Sequence, residues 1–185
     1  MSFFDRIAAA VMPPESASDR ANARKVAESL SAAGDWLSTV LQHHAHIETL
    51  FGEALDYPDA ERRLVALKNL AITLTAHANA EESVIYPALT EIGEKADAMM
   101  AYNEQAMVKI EMGLLEKLDP MSEDWRDKLT HIRDAVAHHV CEEEGKWFPE
   151  LQQHLSPADR ARLNARFPQE FDRYAGPGHE WLPVT

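Results

Sequence analysis

Apolar residues recur at helical spacing along most of this chain, and the strict alternation of a β-strand is nearly absent. Leu37, Val40, Leu41, Ile47, Leu50 and Phe51 fit a 3.6-residue period, which predicts a helix from Trp36 to about Leu55 capped by Asp35. Before it, a helix is expected from Ser16 or Ser18 to about Ala32, broken by Gly34-Asp35, and a short amphipathic one over 2–12, ended by Pro13-Pro14. After the turn Tyr57-Pro58-Asp59 comes a long helix from Ala60 to Tyr86, stopped by Pro87 or running one turn past it. Another is expected from Ala96 to Leu118, on Met100, Val108, Ile110, Leu114 and Leu115. Asp119-Pro120 turns the chain, and Ser122 caps a fourth long helix over 123–148 that ends near Pro149. Ser156-Pro157 opens a last helix to about Tyr174, and 175–185 read as an extended tail.

Four long helices joined by short turns pack most simply as an all-α, up-down-up-down four-helix bundle with extra helical segments at both ends. The expected division is an N-terminal helical extension over 1–34, the bundle over 35–152, and a C-terminal helix and tail over 153–185.

The fourth of these helices repeats a pattern in the second. His77, Glu81, Glu82, Tyr86, Pro87 and Leu89 recur at the same offsets as His139, Glu143, Glu144, Phe148, Pro149 and Leu151. Positions i and i+4 of a helix share a face, so each copy aims one imidazole and one carboxylate at the same place. Two such helices facing each other make a pocket of two nitrogen and two carboxylate ligands, a donor set that suits iron or zinc. The first long helix carries His43-His44-Ala-His46-Ile-Glu48. Neighbouring helix positions differ by about 100°, so His44, in line with Leu37, Leu41, Ile47 and Phe51, faces inward, while His43 and His46 are expected to be exposed. An inward histidine serves either as a hydrogen-bonded core residue or as a ligand; the other inward histidines favour the second role.

Composition narrows the field. The chain has 185 residues, enough for a core without disulfides, and its single cysteine rules out an intramolecular disulfide. No apolar run approaches the roughly 20 residues of a membrane span, and no signal peptide is evident at the start, so a cytoplasmic location is expected. The net charge of −13 disfavours nucleic acid and anionic membrane as partners.

On the residues above, the chain resembles the hemerythrin-like (HHE cation-binding) domain family over about residues 35–152. His44 with Ile47, Leu50 and Phe51 matches one motif, and His77/Glu81 and His139/Glu143, each followed by aromatic-Pro, match the other twice. The resemblance implies four antiparallel helices holding two irons bridged by two carboxylates. One iron would draw on His44 and His77, the other on His139 and a third-helix histidine, with Glu81 and Glu143 as bridges. Here the chain departs from the family: Gln105 stands where that histidine falls, and Lys109 follows one turn later. A neutral amide oxygen is a much weaker donor to iron than imidazole. Three outcomes stay open: one firm metal with a second loose or missing, substitution by Tyr102 as a phenolate ligand, or a bundle that has lost its metal. The alternative di-iron bundle uses Glu-x-x-His pairs, and none of the 9 histidines has a glutamate three residues before it.

Other polar residues take lesser roles in this reading. Glu48 is solvent-facing, while Glu82, Glu104, Glu142 and Glu144 either orient histidine N–H groups or sit on the surface. Cys141 is buried and inert, Met99, Met100, Met107, Met112 and Met121 fill the core, and Trp36, Trp147 and Phe148 pack at a bundle end. The function expected is non-haem iron binding, mononuclear or di-iron and with zinc as the other candidate metal. It serves sensing, scavenging or storage that involves O2, NO or iron, with a small diatomic as ligand. Two alternatives stand beside it: a redox enzyme acting on peroxide or NO, and a metal-free interaction module whose terminal segments cover a bundle end or mediate a homodimer.

Overall fold

The computed structural model describes residues 15–176. The helix expected over 2–12 and the tail beyond 176 lie outside them. Eight α-helical segments follow in order: α1 (Ala17–Leu30), α2 (Trp36–Asp56), α3 (Ala60–Ala80), α4 (Tyr86–Glu91), α5 (Lys95–Leu115), α6 (Glu123–Glu142), α7 (Phe148–His154) and α8 (Pro157–Ala175). Two wide π-turns, Glu81–Ile85 and Glu143–Trp147, join α3 to α4 and α6 to α7 into continuous rods.

Side chains capping the first turns set most of the starts. Ser16 and Asp19 form a reciprocal capping box on α1. Asp35 accepts from the Ser38 amide at 2.7 Å, Asp59 from Arg62 at 2.9 Å, Ser122 from Trp125 at 3.2 Å and Ser156 from Asp159 at 3.2 Å. After α4, Gly93 takes φ +108° and the Glu94 amide reaches back to the Leu89 carbonyl at 3.0 Å, a helix stop that calls for glycine.

The four rods α2, α3–α4, α5 and α6–α7 pack up-down-up-down, with α1 laid along α6 and its π-turn and α8 along α3 and α2. Two corrections concern length. The second rod runs one turn past Pro87 to Glu91, the longer of the two expected ends, whereas the fourth does not end near Pro149 but runs on to His154. The third rod stops at Leu115 rather than 118, where the Lys117 and Leu118 amides close tighter turns onto Leu114 and Leu115.

The core divides into two layers. One holds Trp36, Leu37, Tyr86, Trp147, Phe148, Phe167 and their neighbours; the other holds Leu50, Phe51, Leu70, Trp125, Leu129 and theirs. Burying each large apolar side chain contributes roughly 1.5–3 kcal/mol. Along the rods His44, Gln105, and His139 with Glu143 fall between the residues that feed the two layers, and His77 with Glu81 stand beside Ala76 and Ala80 at the edge of the first. The fold thus places a polar belt between two greasy plugs. The methionines are a correction: Met112 is buried, but Met99, Met100, Met107 and Met121 are exposed. α5 is an outer rod packed mainly against α4 and α6, and among the described helices none covers its far side.

Candidate metal centre

The two π-turns decide what enters the belt. An α-helical proline lacks the N–H of the i→i−4 bond, and its ring clashes with the i−4 carbonyl. A wide turn just ahead of Pro87 and Pro149 relieves that clash, and the Tyr86 and Phe148 amides bond instead to the Glu81 and Glu143 carbonyls, five residues back. On a regular α-helix residue i+5 stands about 140° round from i. In the wide turn it swings back over i, so the side chain of Tyr86 joins that of Glu81 inside the bundle.

His44, His77, Glu81 and Glu143 each aim one donor atom at a common point, all within 4.8 Å of one another and all buried. His44 Nε2 lies 3.3 Å from Glu143 Oε2 and 3.8 Å from Glu81 Oε1, and His77 Nε2 lies 3.3 Å from Glu81 Oε1. His44 Nε2, Glu81 Oε1 and Glu143 Oε2 have no hydrogen-bond partner. Donors at about 2.0–2.2 Å from a shared cation stand at such separations from one another. The geometry and the unsatisfied atoms fit a metal ion held by these four side chains.

His139 belongs to the other half of the belt. Its Nε2 is 3.1 Å from the Tyr86 hydroxyl and 3.3 Å from Glu143 Oε1. The Tyr86 hydroxyl donates to Glu143 Oε1 at 2.9 Å, while Gln105 Nε2 donates to Glu81 Oε2 at 2.7 Å and to the Tyr86 oxygen at 2.5 Å. Gln105 therefore sits where the sequence put it, but its amide nitrogen faces Glu81 and Tyr86. Tyr102 does not enter the site. It is 37% exposed, and its hydroxyl donates to the Glu82 carbonyl at 2.7 Å. Tyr86 was legible only as the aromatic of the repeat; the proline after it was the available signal for a displaced turn.

Outer partners fix the imidazoles. His44 Nδ1 meets Glu144 Oε1 at 2.8 Å, and His139 Nδ1 meets Glu104 Oε2 at 2.7 Å. Arg24, from α1, donates to the same Glu144 oxygen at 2.7 Å. That contact needs α1 close, which Gly145 allows: a Cβ there would lie 3.2 Å from the Ala23 Cβ. Glu82 instead pairs with Lys109 at the surface, and Glu48 is exposed. His43 is another correction. It is 3% exposed, because α8 covers that face with Phe171 and Phe167 at ring distances of 4.3 and 5.5 Å; His46 is half-buried. Trp147 and Phe148 do more than pack a bundle end, since they wall the site against His139 at 5.7 Å and His44 at 6.3 Å. Cys141 is half-buried, and burial together with the charges of Glu15 and Glu142 raises its thiol, which keeps it protonated.

Burial and crowding push the titrating groups apart. Glu81 is raised to about 7 by burial and by the charge on Glu143. Burial also pushes Glu143 up, but His139 and His44 outweigh it and hold that carboxylate below its ordinary range. Burial opposes a charge on His139, yet Glu143 and Glu104 raise it to about 10; His44 is likewise raised by Glu143, Glu144 and Glu81. His77 is lowered by burial and then by the charges of His44 and His43. Protons on His44 and His139 thus balance the buried acids, a role that a cation takes over when protons are displaced.

The family model for the hemerythrin HHE cation-binding domain matches residues 35–151. This chain belongs to that family. Among curated proteins, this hemerythrin domain is similar to a DNA nickase of Nostoc sp. (strain PCC 7120 / SAG 25.82 / UTEX 2576), at 28% identity over 113 residues. The match covers 61% of this chain and 32% of the relative, so this chain aligns with about a third of that protein. No solved structure matches the hemerythrin chain. α1 and α8, which bring Arg24 and Phe167 to the site, lie outside the family match.

Proposed function

We propose that this protein binds one transition-metal ion firmly, iron ahead of zinc, through His44, His77, Glu81 and Glu143. The second position of the family's pair, beside His139, is short of ligands because Gln105 replaces an imidazole. The single observation behind this reading is the convergence of four buried donors with three unsatisfied atoms among them. Burying two carboxylates without a cation would be costly, which argues against a metal-free module. Bound iron supplies one-electron redox chemistry and open positions for a small ligand. The chain does the rest: Glu144 and Glu104 orient the imidazoles, Trp147, Phe148 and Phe167 exclude water, and Tyr86 holds a proton at its hydroxyl, 2.9 Å from Glu143.

The role we favour is sensing, scavenging or storage involving O2, NO or iron, in the cytoplasm. A redox enzyme acting on peroxide or NO is the second reading, and the Tyr86 hydroxyl, a buried proton donor at the weaker half-site, favours it. Nicking of DNA is named for the Nostoc relative and is not proposed here: the match covers a third of that protein, and a net charge of −13 opposes a phosphate backbone.

Anaerobic loading with Fe(II), gel filtration and metal analysis test the proposal. About one tightly held iron per chain is expected, lost in Glu81→Ala and in His77→Ala. A protein that retains neither iron nor zinc refutes it. Turnover assays on the loaded protein separate the two roles, because rates equal to those of free iron remove the enzyme reading.

A further inference from the structure

The outer rod α5 has two apolar faces. One turns Ala98, Ala101, Met112 and Leu115 into the bundle, where all four are buried. On the other, Met99, Met100, Met107, Ile110 and Leu114 are between 40% and 66% exposed. At 100° per residue these five fall within an arc of about 100° opposite Gln105, in one stripe about 22 Å long. An arc of that width is what an amphipathic helix normally buries. A free large side chain offers about 200 Å², so the stripe leaves on the order of 500 Å² open, near the top of the range for a monomer. Among the described helices none lies over it.

The spacing is that of a helix pair. Met100, Met107 and Leu114 recur every seven residues, and so do Ala96, Asn103 and Ile110, the two core positions of a heptad. The flanks differ. Asp97, Glu104 and Glu111 run along one, and Met99, Ala106 and Gly113 along the other. The acids are engaged within the chain by Lys146, His139 and Lys128, so recognition at this face rests on apolar burial rather than on a charged partner. Two copies of α5 lying parallel set the acidic flank of each along the uncharged flank of the other. An antiparallel pair sets acid against acid, with Glu104 facing Glu111. In the parallel pair Asn103 meets its own equivalent, and two amides satisfy each other by hydrogen bonding. With the small residues between the large ones, two copies bury about 1,000–1,200 Å², where specific interfaces begin.

We propose that α5 is the interface of a homodimer, in which this stripe packs against the same stripe of a second copy, the two helices parallel about a two-fold axis. The inference goes beyond metal binding and stands without it, because none of the four donors lies on α5.

Sedimentation velocity of the full chain, from micromolar to millimolar concentration, tests it. A reversible monomer–dimer equilibrium is expected, with a dissociation constant of micromolar order for an interface this small. Each copy carries a net charge of −13, so added salt should tighten the dimer by screening repulsion. Met107→Lys and Ile110→Lys bring charge into the stripe, and each, checked as folded by circular dichroism, should weaken dimerisation at least tenfold. Leu64→Lys, at an apolar residue 51% exposed on α3, should leave it unchanged. In a Cys141→Ser background, Asn103→Cys and Ile110→Cys should each form an intermolecular disulfide on oxidation, since in a parallel pair every position of the stripe meets its equivalent. A full chain that stays monomeric throughout overturns the proposal; if it dimerises only after residues 1–14 are removed, that segment is the occupant instead. Dimerisation undiminished in both folded lysine variants of the stripe, or lost in Leu64→Lys, overturns it as well. A disulfide at only one of the two cysteines, or at neither, overturns the parallel arrangement.

Discussion

Phe167 tests the idea that α8, outside the family match, closes the metal centre. The side chain is fully buried, at 0% exposure, with its ring 5.5 Å from that of His43 and 6.4 Å from that of His77. Phe167→Ala removes a ring from a core that cannot fully collapse, at a cost of about 3–5 kcal/mol. For a chain of this size each kcal/mol lowers the unfolding midpoint by about 2–4 °C, so a fall of roughly 6–20 °C is expected. Circular dichroism melts of metal-free and iron-loaded protein measure it, and release of iron to a chelator measures the second consequence. With the ring gone, water reaches His77, and release should speed up severalfold. Phe167→Leu keeps most of the volume and should cost less than about 1.5 kcal/mol. An alanine variant that melts with the parent and releases iron at the parental rate would show that α8 does not wall the site.

Gln105→His supplies the imidazole missing beside His139 and should raise bound iron from about one toward two per chain; unchanged stoichiometry would mean that the third-rod register, not the ligand type, limits the site. Tyr102→Phe breaks a hydrogen bond to the Glu82 carbonyl and removes none of the four donors, so its iron spectrum should match the parent, at a stability cost of about 0.5–1.5 kcal/mol. Any Fe(III)–phenolate band should vanish only in Tyr86→Phe. Glu81 is raised from 4.5 to about 7 in the metal-free fold, so it adds stability below about 4.5 that is lost as pH rises through 7. Urea midpoints of metal-free parent and Glu81→Gln should therefore diverge over that window, the parent losing ground as pH rises. Iron affinity should climb across the same range, because iron and the proton compete for that carboxylate.

Much of this was open to reading along the chain. Caps at Asp35, Ser122 and Ser156 announced their helices, and i, i+4 spacing put His77 with Glu81 and His139 with Glu143, because local backbone geometry alone settles which side chains share a face. His44 followed from the same arithmetic. The wheel failed where the helix was not regular or where a distant element supplied the neighbour. It hid Tyr86, which a π-turn carries into the site, and it left His43 outside because nothing in 36–55 says that α8 will lie across it.

The sequence by itself therefore determined the rods, their caps, the repeated histidine–carboxylate pairs and the want of a third-rod histidine, all matters of spacing within one segment. Only the tertiary structure decided that Arg24 and Phe167 close on the centre, that Gln105 turns its nitrogen toward Glu81, and that α5 turns an apolar face outward. Those depend on packing between segments far apart in the chain, where contact is set by which faces meet.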